Sequence, residues 1–450
     1  MTDRALFLRP EPLHSCCQER YIRVVRVGPQ GGRGVRYRPR VVDAELHKRL
    51  AASGAVVIEG AKACGKTATA TRVATSHVML DVDARARQAL AVDPSLVLDG
   101  ERPRLLDEWQ VEPSLWNHVR RAVDAAGVPG QFVLTGSAVP PDDADRHSGA
   151  GRFSFLRMRP MTLFESGVST SAVSLAGLFD GEPVRAAEPG LDLRALIERI
   201  VIGGWPAQQS QPVADAARAA RDYLEQVRQV DISRVGGIRR DPARVGALLA
   251  SLARNVATEV KNSVLAADAG GSDGALDPHT VAGYLDALQQ LMVIEDQRAW
   301  APHLRSKAVL RKAPKRHFVD PSLAVAALAA GPDRLLADLN LLGLLFESLV
   351  VRDLRVYSQP LDGQVLHYRD NYGIEVDAVV QLADGRWGAF EIKLGAGMVD
   401  EGAKSLLRFV EQIDLNRAGQ PTVLAVICAS GYGYVRDDGV AVVPIGALCP

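Results

Sequence analysis

The segment Gly60-Ala61-Lys62-Ala63-Cys64-Gly65-Lys66-Thr67 follows the apolar run 55–58 and precedes an alanine- and threonine-rich stretch at 68–74. Its spacing is G-x-x-x-x-G-K-[ST], between a predicted strand and a predicted helix, as in a phosphate-binding loop. Glycines let backbone N–H groups turn toward a triphosphate, and the N-terminus of the following helix adds the positive end of its dipole. We therefore predict a nucleotide-binding loop. The alternative is an ordinary glycine-rich turn between a strand and a helix.

The side chains of this loop have separate predicted roles. Lys66 is expected to reach the β- and γ-phosphates of ATP, and the Thr67 hydroxyl is expected to bind Mg²⁺. ATP and Mg²⁺ are therefore the predicted cofactors. Contacts to the nucleotide are expected from nine consecutive residues, which are Gly60, Ala61, Lys62, Ala63, Cys64, Gly65, Lys66, Thr67 and Ala68.

Length and composition limit the class of protein. A chain of 450 residues is long enough for two to four domains. Lys plus Arg and Asp plus Glu both number 53, so binding to nucleic acid would have to depend on a local patch. The five cysteines are too few and too irregular for a disulfide framework or a zinc site. With no apolar run of about 18 residues and no signal peptide, the sequence predicts a cytoplasmic protein without membrane contact.

Two further strands place polar residues behind the loop. Residues 103–106 read as a strand that ends in Asp107-Glu108, about forty residues after Lys66. Asp107 is expected to bind Mg²⁺, and Glu108 to polarise the attacking water. The strand 131–134 ends at Thr135, which is either a sensor of the γ-phosphate or a cap of the next turn.

Alternating strands and helices predict a parallel sheet with helices on both faces and the nucleotide at the carboxyl edge. The predicted fold class is α/β: a P-loop NTPase sheet, then a winged helix-turn-helix, then a small restriction-endonuclease-like domain. The predicted boundaries are a flexible extension at 1–36, the ATPase core at 37–165, a helical connector at 166–240, the winged helix at 241–330 and the last domain at 331–450.

From about residue 38 to its end, the chain resembles a bacterial and archaeal branch of the AAA superfamily. The motifs that carry the resemblance are the loop with Lys62 inside it, Leu105-Leu106-Asp107-Glu108-Trp109-Gln110, Leu134-Thr135-Gly136-Ser137, Gly151-Arg152 and Arg159-Pro160-Met161-Thr162-Leu163-Phe164-Glu165. The resemblance implies an ATP-binding protein with a C-terminal domain of unknown function, and a homo-oligomer or protein partner is possible.

For Arg152 it implies a place near the nucleotide, as a finger between subunits. The alternative is a structural salt bridge. Trp109 departs from the aliphatic residue usual there and is interpreted as packing.

The middle of the chain predicts a DNA-facing unit. Helices are expected at 244–256, at 257–267 and after Asp277-Pro278, followed by a short strand at 292–294, which is the order of a winged helix-turn-helix. A basic run follows and could contact DNA phosphates, or could be a solvated hairpin or a surface docked on the ATPase domain. It consists of Arg305, Lys307, Arg311, Lys312, Lys315, Arg316 and His317.

Near the C-terminus, Asp377 and the pair Glu391-x-Lys393 have the pattern of restriction-endonuclease-like nucleases, in an α-β-β-β-α-β order of predicted elements. Asp377 and Glu391 would bind Mg²⁺, and Lys393, on the same strand face as Glu391, would orient water. Glu347 on the preceding helix matches an additional acidic position. A surface ion pair between Glu391 and Lys393 is the alternative, and a fold does not guarantee its chemistry.

Three functions remain open on the sequence alone. The first is an AAA-type ATPase that couples binding and hydrolysis of Mg-ATP to a DNA-facing module. The second is a metal-dependent DNA nuclease gated by the ATPase. The third is a nucleotide-switched regulator that binds DNA or protein without significant turnover.

Overall fold

The computed structural model describes residues 37–136, 148–302 and 313–450. The N-terminal unit contains a five-stranded sheet in the order β2-β3-β4-β1-β5, in which all the pairings are parallel. This confirms the predicted parallel sheet. Its strands are β1 Ala55–Glu59, β2 Ser76–Met79, β3 Arg104–Asp107, β4 Phe132–Gly136 and β5 Phe153–Arg157.

Both faces of this sheet are covered. Val56 and Ile58 face one hydrophobic core, whereas Ala55 and Val57 face the other, because successive side chains of a strand point to opposite faces. This two-sided burial explains why the central strands read as continuous apolar runs. The helices of this unit are α1 Val42–Ala52, α2 Lys66–Val73, α3 Ala84–Val92, α4 Ser95–Leu98 and α5 Leu115–Ala126.

A mainly helical connector follows. The corner at Gly203-Gly204 is tight: the Gly204 carbonyl accepts from the Met161 N–H at 2.6 Å, and the Gly204 N–H donates to Asp320 Oδ2 at 2.9 Å. Its elements are β6 Val173–Ser174, α6 Leu175–Phe179, α7 Leu193–Ile202, α8 Val213–Gln226, a π-helical segment Val227–Asp231 and α9 Ile232–Arg234.

In its described residues, the next unit has three α-helices and two antiparallel strands, and the strands are paired in the register Ile294↔Phe318. The order of elements agrees with the predicted one, although the second helix begins at Asn262 rather than at 257. The assignment as a winged helix-turn-helix remains a prediction. The elements are α10 Pro242–Arg254, α11 Asn262–Gly270, α12 Pro278–Gln290, β7 Ile294–Gln297 and β8 Lys315–Phe318.

The C-terminal unit has a six-stranded mixed sheet in the order β13-β14-β12-β11-β10-β9. The predicted α-β-β-β-α-β order is present as α15, β9, β10, β11, α16 and β12. The helices are α13 Pro321–Ala327, α14 Pro332–Ala337, α15 Leu339–Ser358, α16 Val399–Gln412 and α17 Leu415–Ala418, and the strands are β9 Gln364–Arg369, β10 Glu375–Gln381, β11 Trp387–Lys393, β12 Val423–Cys428, β13 Tyr434–Val435, β14 Ala441–Pro444 and β15 Leu448–Cys449.

A buried ionic network joins the units. The Arg352 guanidinium lies 2.7 Å from Asp320 and 2.7 Å from Asp353. Asp353 also accepts from the Leu163 N–H at 3.0 Å, which attaches α15 to the end of the N-terminal unit. The C-terminal unit is therefore held against the N-terminal unit by charges and hydrogen bonds that water does not reach.

Within the described residues, the helices are too short or too polar to cross a membrane.

Candidate nucleotide site and carboxylate cavity

The predicted phosphate loop joins the end of β1 to the first residue of α2, Lys66. Ala63 and Gly65 have φ angles of 60° and 106°, so the loop turns through left-handed backbone. A Cβ atom at Gly60 would lie 2.2 Å from the Met158 carbonyl oxygen, so a side chain does not fit there. The two glycines of the motif are therefore explained by the close approach and by the turn.

Lys66 is buried, and its ammonium donates to the carbonyl oxygens of Gly60 and Ala61, at 2.9 Å each. Both acceptors are uncharged parts of the loop itself. An incoming phosphate can therefore recruit this lysine without breaking an ion pair.

Three oxygen-bearing side chains meet at the carboxyl edge of the sheet. The Thr67 hydroxyl donates to Asp107 Oδ1 at 2.9 Å, and the Thr135 hydroxyl donates to the same oxygen. Asp107 and Thr135 are neighbours in the register of β3 and β4. Hydroxyl and carboxylate oxygens are ligands that Mg²⁺ prefers, so the residues present fit the predicted ion.

Glu108 follows Asp107 in a left-handed conformation, with φ 52°. Its carboxylate accepts a hydrogen bond from the side-chain amide of Gln110, which also lies beside Gly136 at the end of β4. The sequence did not assign a role to Gln110, although the residue is part of the motif 105–110. Trp109 is 4% exposed and its ring lies 5.0 Å from Trp116, in agreement with a packing role.

Two basic residues hold the loop from outside. The Lys62 ammonium lies 2.6 Å from Asp231 on the connector, so its side chain is directed away from the loop that it was predicted to serve. Arg40 is buried and donates to the Cys64 carbonyl at 2.9 Å, while it pairs with Glu165 at 3.1 Å. Sequence reasoning missed Arg40. The only signal was its place in the first regular stretch of the chain.

Arg152 lies immediately before β5, at the amino-terminal edge of the sheet, whereas the nucleotide loop follows the carboxyl end of β1. Its guanidinium pairs with Asp124 at 2.7 Å. Within its own chain, Arg152 is therefore not a neighbour of the nucleotide loop, and its pairing with Asp124 is the salt bridge of the alternative interpretation. A contact across a subunit interface remains a prediction.

The end of the predicted basic run is buried in β8, which corrects the expectation that it contacts DNA. Lys315, Arg316 and His317 are 2%, 9% and 2% exposed. Arg316 pairs with Asp296 at 3.1 Å, and His317 shares a hydrogen bond with Gln297 at 3.0 Å. Three of the seven basic residues are thus used internally. Arg305, Lys307, Arg311 and Lys312 lie outside the described residues.

Asp377, Glu391 and Lys393 line one cavity of ≈ 300 Å³, as expected from the motif and from the shared strand face of Glu391 and Lys393. The Lys393 ammonium lies 2.6 Å from Glu391 Oε2, and Asp377 Oδ2 accepts from the Ile392 N–H at 2.9 Å. Burial and the nearby Asp377 charge raise the pKa of Glu391 to about 8, against the opposing effect of Lys393.

Lys315 brings a second ammonium to this cluster of carboxylates. Its Nζ lies 2.7 Å from Glu347, 2.9 Å from Glu375 and 3.5 Å from Asp377. Burial and Asp377 raise the pKa of Glu347 to about 8, although Lys315 acts in the opposite direction. The sequence assigned a role in this site to neither Lys315 nor Glu375.

The predicted metal site of the C-terminal unit is therefore occupied by internal cations. Across the described ranges, no group of three or more His, Cys, Asp or Glu side chains is placed to hold a metal ion. A Mg²⁺ ion at Asp377 and Glu391 remains a prediction, and it would compete with two lysines.

Three family models match successive parts of the chain. Residues 52–166 match the family described as an AAA domain, and residues 342–448 match a domain of unknown function, DUF4143. A second domain of unknown function, DUF8612, matches residues 193–334. With the loop geometry above, residues 52–166 form an AAA-type P-loop ATPase domain, followed by a C-terminal domain of unknown function.

Two mycobacterial relatives match most of this chain, and both are described as uncharacterized proteins. The chain is 25% identical over 410 residues to the uncharacterized protein Rv2008c of Mycobacterium tuberculosis and, equally, to the uncharacterized protein Mb2031c of Mycobacterium bovis. Each alignment covers 89% of this chain and 82% of the relative. A Walker-type ATPase of Pyrococcus abyssi aligns with 63% of this chain and 94% of its own, at 13% identity and a TM-score of 0.37, which is too weak a likeness to bear on the fold.

Proposed function

We propose that the protein binds and hydrolyses Mg-ATP at the loop 60–67. The observation that carries the proposal is the meeting of Thr67, Asp107 and Thr135 beside Lys66. When ATP is bound, Mg²⁺ supplies positive charge that offsets the charge developing on the transferred phosphoryl group. Thr67 and Asp107 would hold that ion.

The chain's own residues have distinct tasks in this proposal. Lys66 would leave the carbonyl oxygens of Gly60 and Ala61 and donate to the phosphates. Glu108 would accept a hydrogen bond from the attacking water and orient it, with Gln110 keeping the carboxylate in place. Thr135 would orient Asp107, or contact the γ-phosphate after its hydroxyl rotates.

Two variants test the proposal. Lys66→Ala is expected to abolish ATP binding, because it removes the buried cation of the loop. Glu108→Gln is expected to retain bound ATP without turnover, because an amide cannot take a proton from water. Lys48→Ala, at an exposed position on α1, is the control. ATP binding by fluorescence and phosphate release would be measured, and undiminished turnover in Glu108→Gln would contradict the assignment.

The coupling of nucleotide to the later units is the second part of the proposal. The loop contacts the connector through Lys62 and Asp231, and Arg40 joins it to the carbonyl of Arg159 at 2.7 Å. A phosphate that displaces the loop would therefore disturb its contact with the connector and, through Arg40, the backbone at Arg159. The predicted DNA-facing role is tested by ATPase rates with and without DNA. Nucleotide binding without turnover would favour the regulator instead.

A nuclease remains the second candidate, because Asp377, Glu391 and Lys393 share one cavity. Incubation of plasmid DNA with the protein and Mg²⁺ or Mn²⁺ tests it, with Asp377→Ala as control. Cleavage that survives this substitution would indicate a contaminant, and a lack of cleavage in either metal would leave the carboxylates with a structural role.

A further inference from the structure

A second cavity, of ≈ 290 Å³, lies where the ATPase unit, strand β7 and the start of β9 meet. Its lining contains five arginines but only two carboxylates, Glu295 and Asp296. The arginines come from the N-terminal unit, from the residue after β7 and from α15, and are Arg49, Arg157, Arg159, Arg298 and Arg355. We call this cavity the arginine cleft.

The two carboxylates of the arginine cleft are already engaged. Glu295 lies 2.6 Å from Arg159 and 3.5 Å from Arg355, and Asp296 pairs with Arg316 at 3.1 Å. Although burial opposes its ionisation, Arg159 and Arg355 hold the pKa of Glu295 well below the usual range. Arg157 also acts on Glu295, but through its charge alone, so the two carboxylates leave the five arginines of the lining with an excess of positive charge.

Two arginines of the cleft keep charge available for a ligand. In the described part of the chain, the Arg157 guanidinium makes no hydrogen bond or salt bridge. Arg298 is exposed, and its nearest acceptor is the neutral amide oxygen of Gln364 at 3.4 Å. Arg49, by contrast, is held by Glu45. The unbalanced charge favours an anion, and guanidinium groups bind phosphate in a bidentate manner.

An aromatic ring stands beside these charges. Phe155 is 47% exposed on β5, and the period of a strand places it on the same face as Arg157. The exposure of the Phe155 ring shows that this part of the face is open to solvent. An exposed ring next to a basic groove is the combination that single-stranded nucleic acid uses, with bases stacked and phosphates bound.

We infer that the arginine cleft binds a single strand of nucleic acid, with phosphates on Arg157 and Arg298 and a base against Phe155. This inference rests on the DNA-facing part of the proposed function and replaces Lys315, Arg316 and His317 as the contact surface. A free nucleotide shares the same chemistry. The strand differs from it because successive phosphates can reach both arginines.

The cleft adjoins the nucleotide loop. Arg40 donates to the carbonyl of Arg159, at the cleft, and to the carbonyl of Cys64, in the loop, at 2.7 and 2.9 Å. A strand that moves the backbone at Arg159 would therefore act on the loop through one side chain. Stimulation of ATP hydrolysis by the strand follows from this contact.

Binding of a fluorescent oligothymidylate to the full chain, followed by anisotropy, tests the inference. The double variant Arg157→Ala/Arg298→Ala is expected to bind about tenfold or more weakly, and the salt dependence to fall by about 1.4 in slope, as two phosphate contacts are lost. Phe155→Ala should weaken binding about tenfold and leave the slope unchanged. The matched control, Arg218→Ala/Arg417→Ala, removes the same charge at exposed sites and should bind normally.

Equal weakening in the control, or none in the cleft variants, would overturn the inference. Binding of thymidine monophosphate but not of the oligonucleotide would contradict binding of a strand and would indicate a pocket for a free nucleotide. If the double variant does not fold, the unaltered chain is cross-linked by ultraviolet light to an oligonucleotide that contains iodouracil. The positions of the cross-links then test the inference. Cross-links at residues 153–159 support the cleft, and cross-links elsewhere contradict it.

The two proposals can fail separately. Lys66→Ala should still bind the oligonucleotide, because Lys66 is not part of the cleft. Binding of the oligonucleotide without any ATP hydrolysis would contradict the proposed ATPase activity and support the arginine cleft. ATP hydrolysis without binding of the oligonucleotide would support the ATPase activity and contradict the arginine cleft.

Discussion

The nucleotide loop and the carboxylate cavity both contain buried lysines, but the partners of those lysines differ. Lys66 donates to two neutral carbonyl oxygens of its own loop. Lys315 is surrounded by Glu347, Glu375 and Asp377, and Lys393 pairs with Glu391. One site thus keeps a cation ready for an anionic ligand, whereas the other already pairs its lysines with carboxylates of the same fold.

Both sites contain the residue types expected for their ligands, but only the nucleotide loop has a cation that is not already in an ion pair. A phosphate that recruits Lys66 exchanges neutral hydrogen bonds for charged ones, which are stronger. A metal ion in the carboxylate cavity would have to displace ammonium groups that already offset the charge of the carboxylates. Removal of one partner of such a buried pair is costly because the other charge remains. The comparison therefore favours function at the loop and stability at the cavity.

The largest expected effect comes from Lys315→Met, which should lower the free energy of unfolding by about 3 kcal/mol because buried carboxylates lose their cation. Urea denaturation followed by tryptophan fluorescence measures it, since Trp300 and Trp387 lie in the C-terminal core, 3% and 1% exposed. Lys393→Met, at a more exposed pair, is the control and should cost less. A divalent cation should restore part of the loss in Lys315→Met. Equal costs in both variants would contradict the comparison.

Replacing one carboxylate by an amide should slow ATP hydrolysis at the nucleotide loop but not at the carboxylate cavity. Asp107→Asn is expected to slow ATP hydrolysis about 100-fold or more, because the metal ligand and the partner of Thr67 lose their charge. Asp377→Asn should leave the rate within about twofold. Steady-state phosphate release measures both. A comparable loss in Asp377→Asn would mean that the cavity takes part in turnover.

The stability of the protein should depend on pH through His317, which is buried on β8. Burial, with Arg355 and Lys315 nearby, holds the pKa of His317 well below its usual range. The folded state thus keeps this ring neutral, while the unfolded chain takes up a proton below about pH 6.5. The stabilisation is complete above that pH and is lost as the pH falls toward the folded-state pKa, by at most about 1.4 kcal/mol per pH unit.

His317→Asn should flatten this dependence between pH 6.5 and 5, even if the variant is less stable at pH 8. Denaturation at several pH values provides the measurement. An unchanged slope would show that another group is responsible.

The smallest expected effect is at Lys62. Lys62→Ala should cost about 0.5–1 kcal/mol, because Asp231 is buried but the lysine is 42% exposed and screened by water. Its effect on ATP affinity should be far smaller than that of Lys66→Ala, which a nucleotide titration would compare. Lys62→Arg is the control. A loss of ATP binding as large as that of Lys66→Ala would return Lys62 to the nucleotide site.

Much of the fold could be predicted because its signals are local. Continuous apolar runs around Val56 and Val133 predicted the parallel strands, and the period of two around Glu391 placed Lys393 on the same face. The motifs at 60–67 and 107–108 predicted the nucleotide site for the same reason. Arg40 was missed and Lys315 was assigned to the wrong surface, because a basic residue carries no local sign of the carboxylates that it will meet.

The sequence by itself determined the loop, since its glycines, lysine and threonine act through backbone conformation within a few residues. Tertiary structure alone decided which charges are free. Lys62 meets Asp231 across 169 positions, and Lys315 meets Glu347 across 32. The physical reason is that the state of a charge depends on burial and on distant partners, which only the assembled chain brings within a few ångströms.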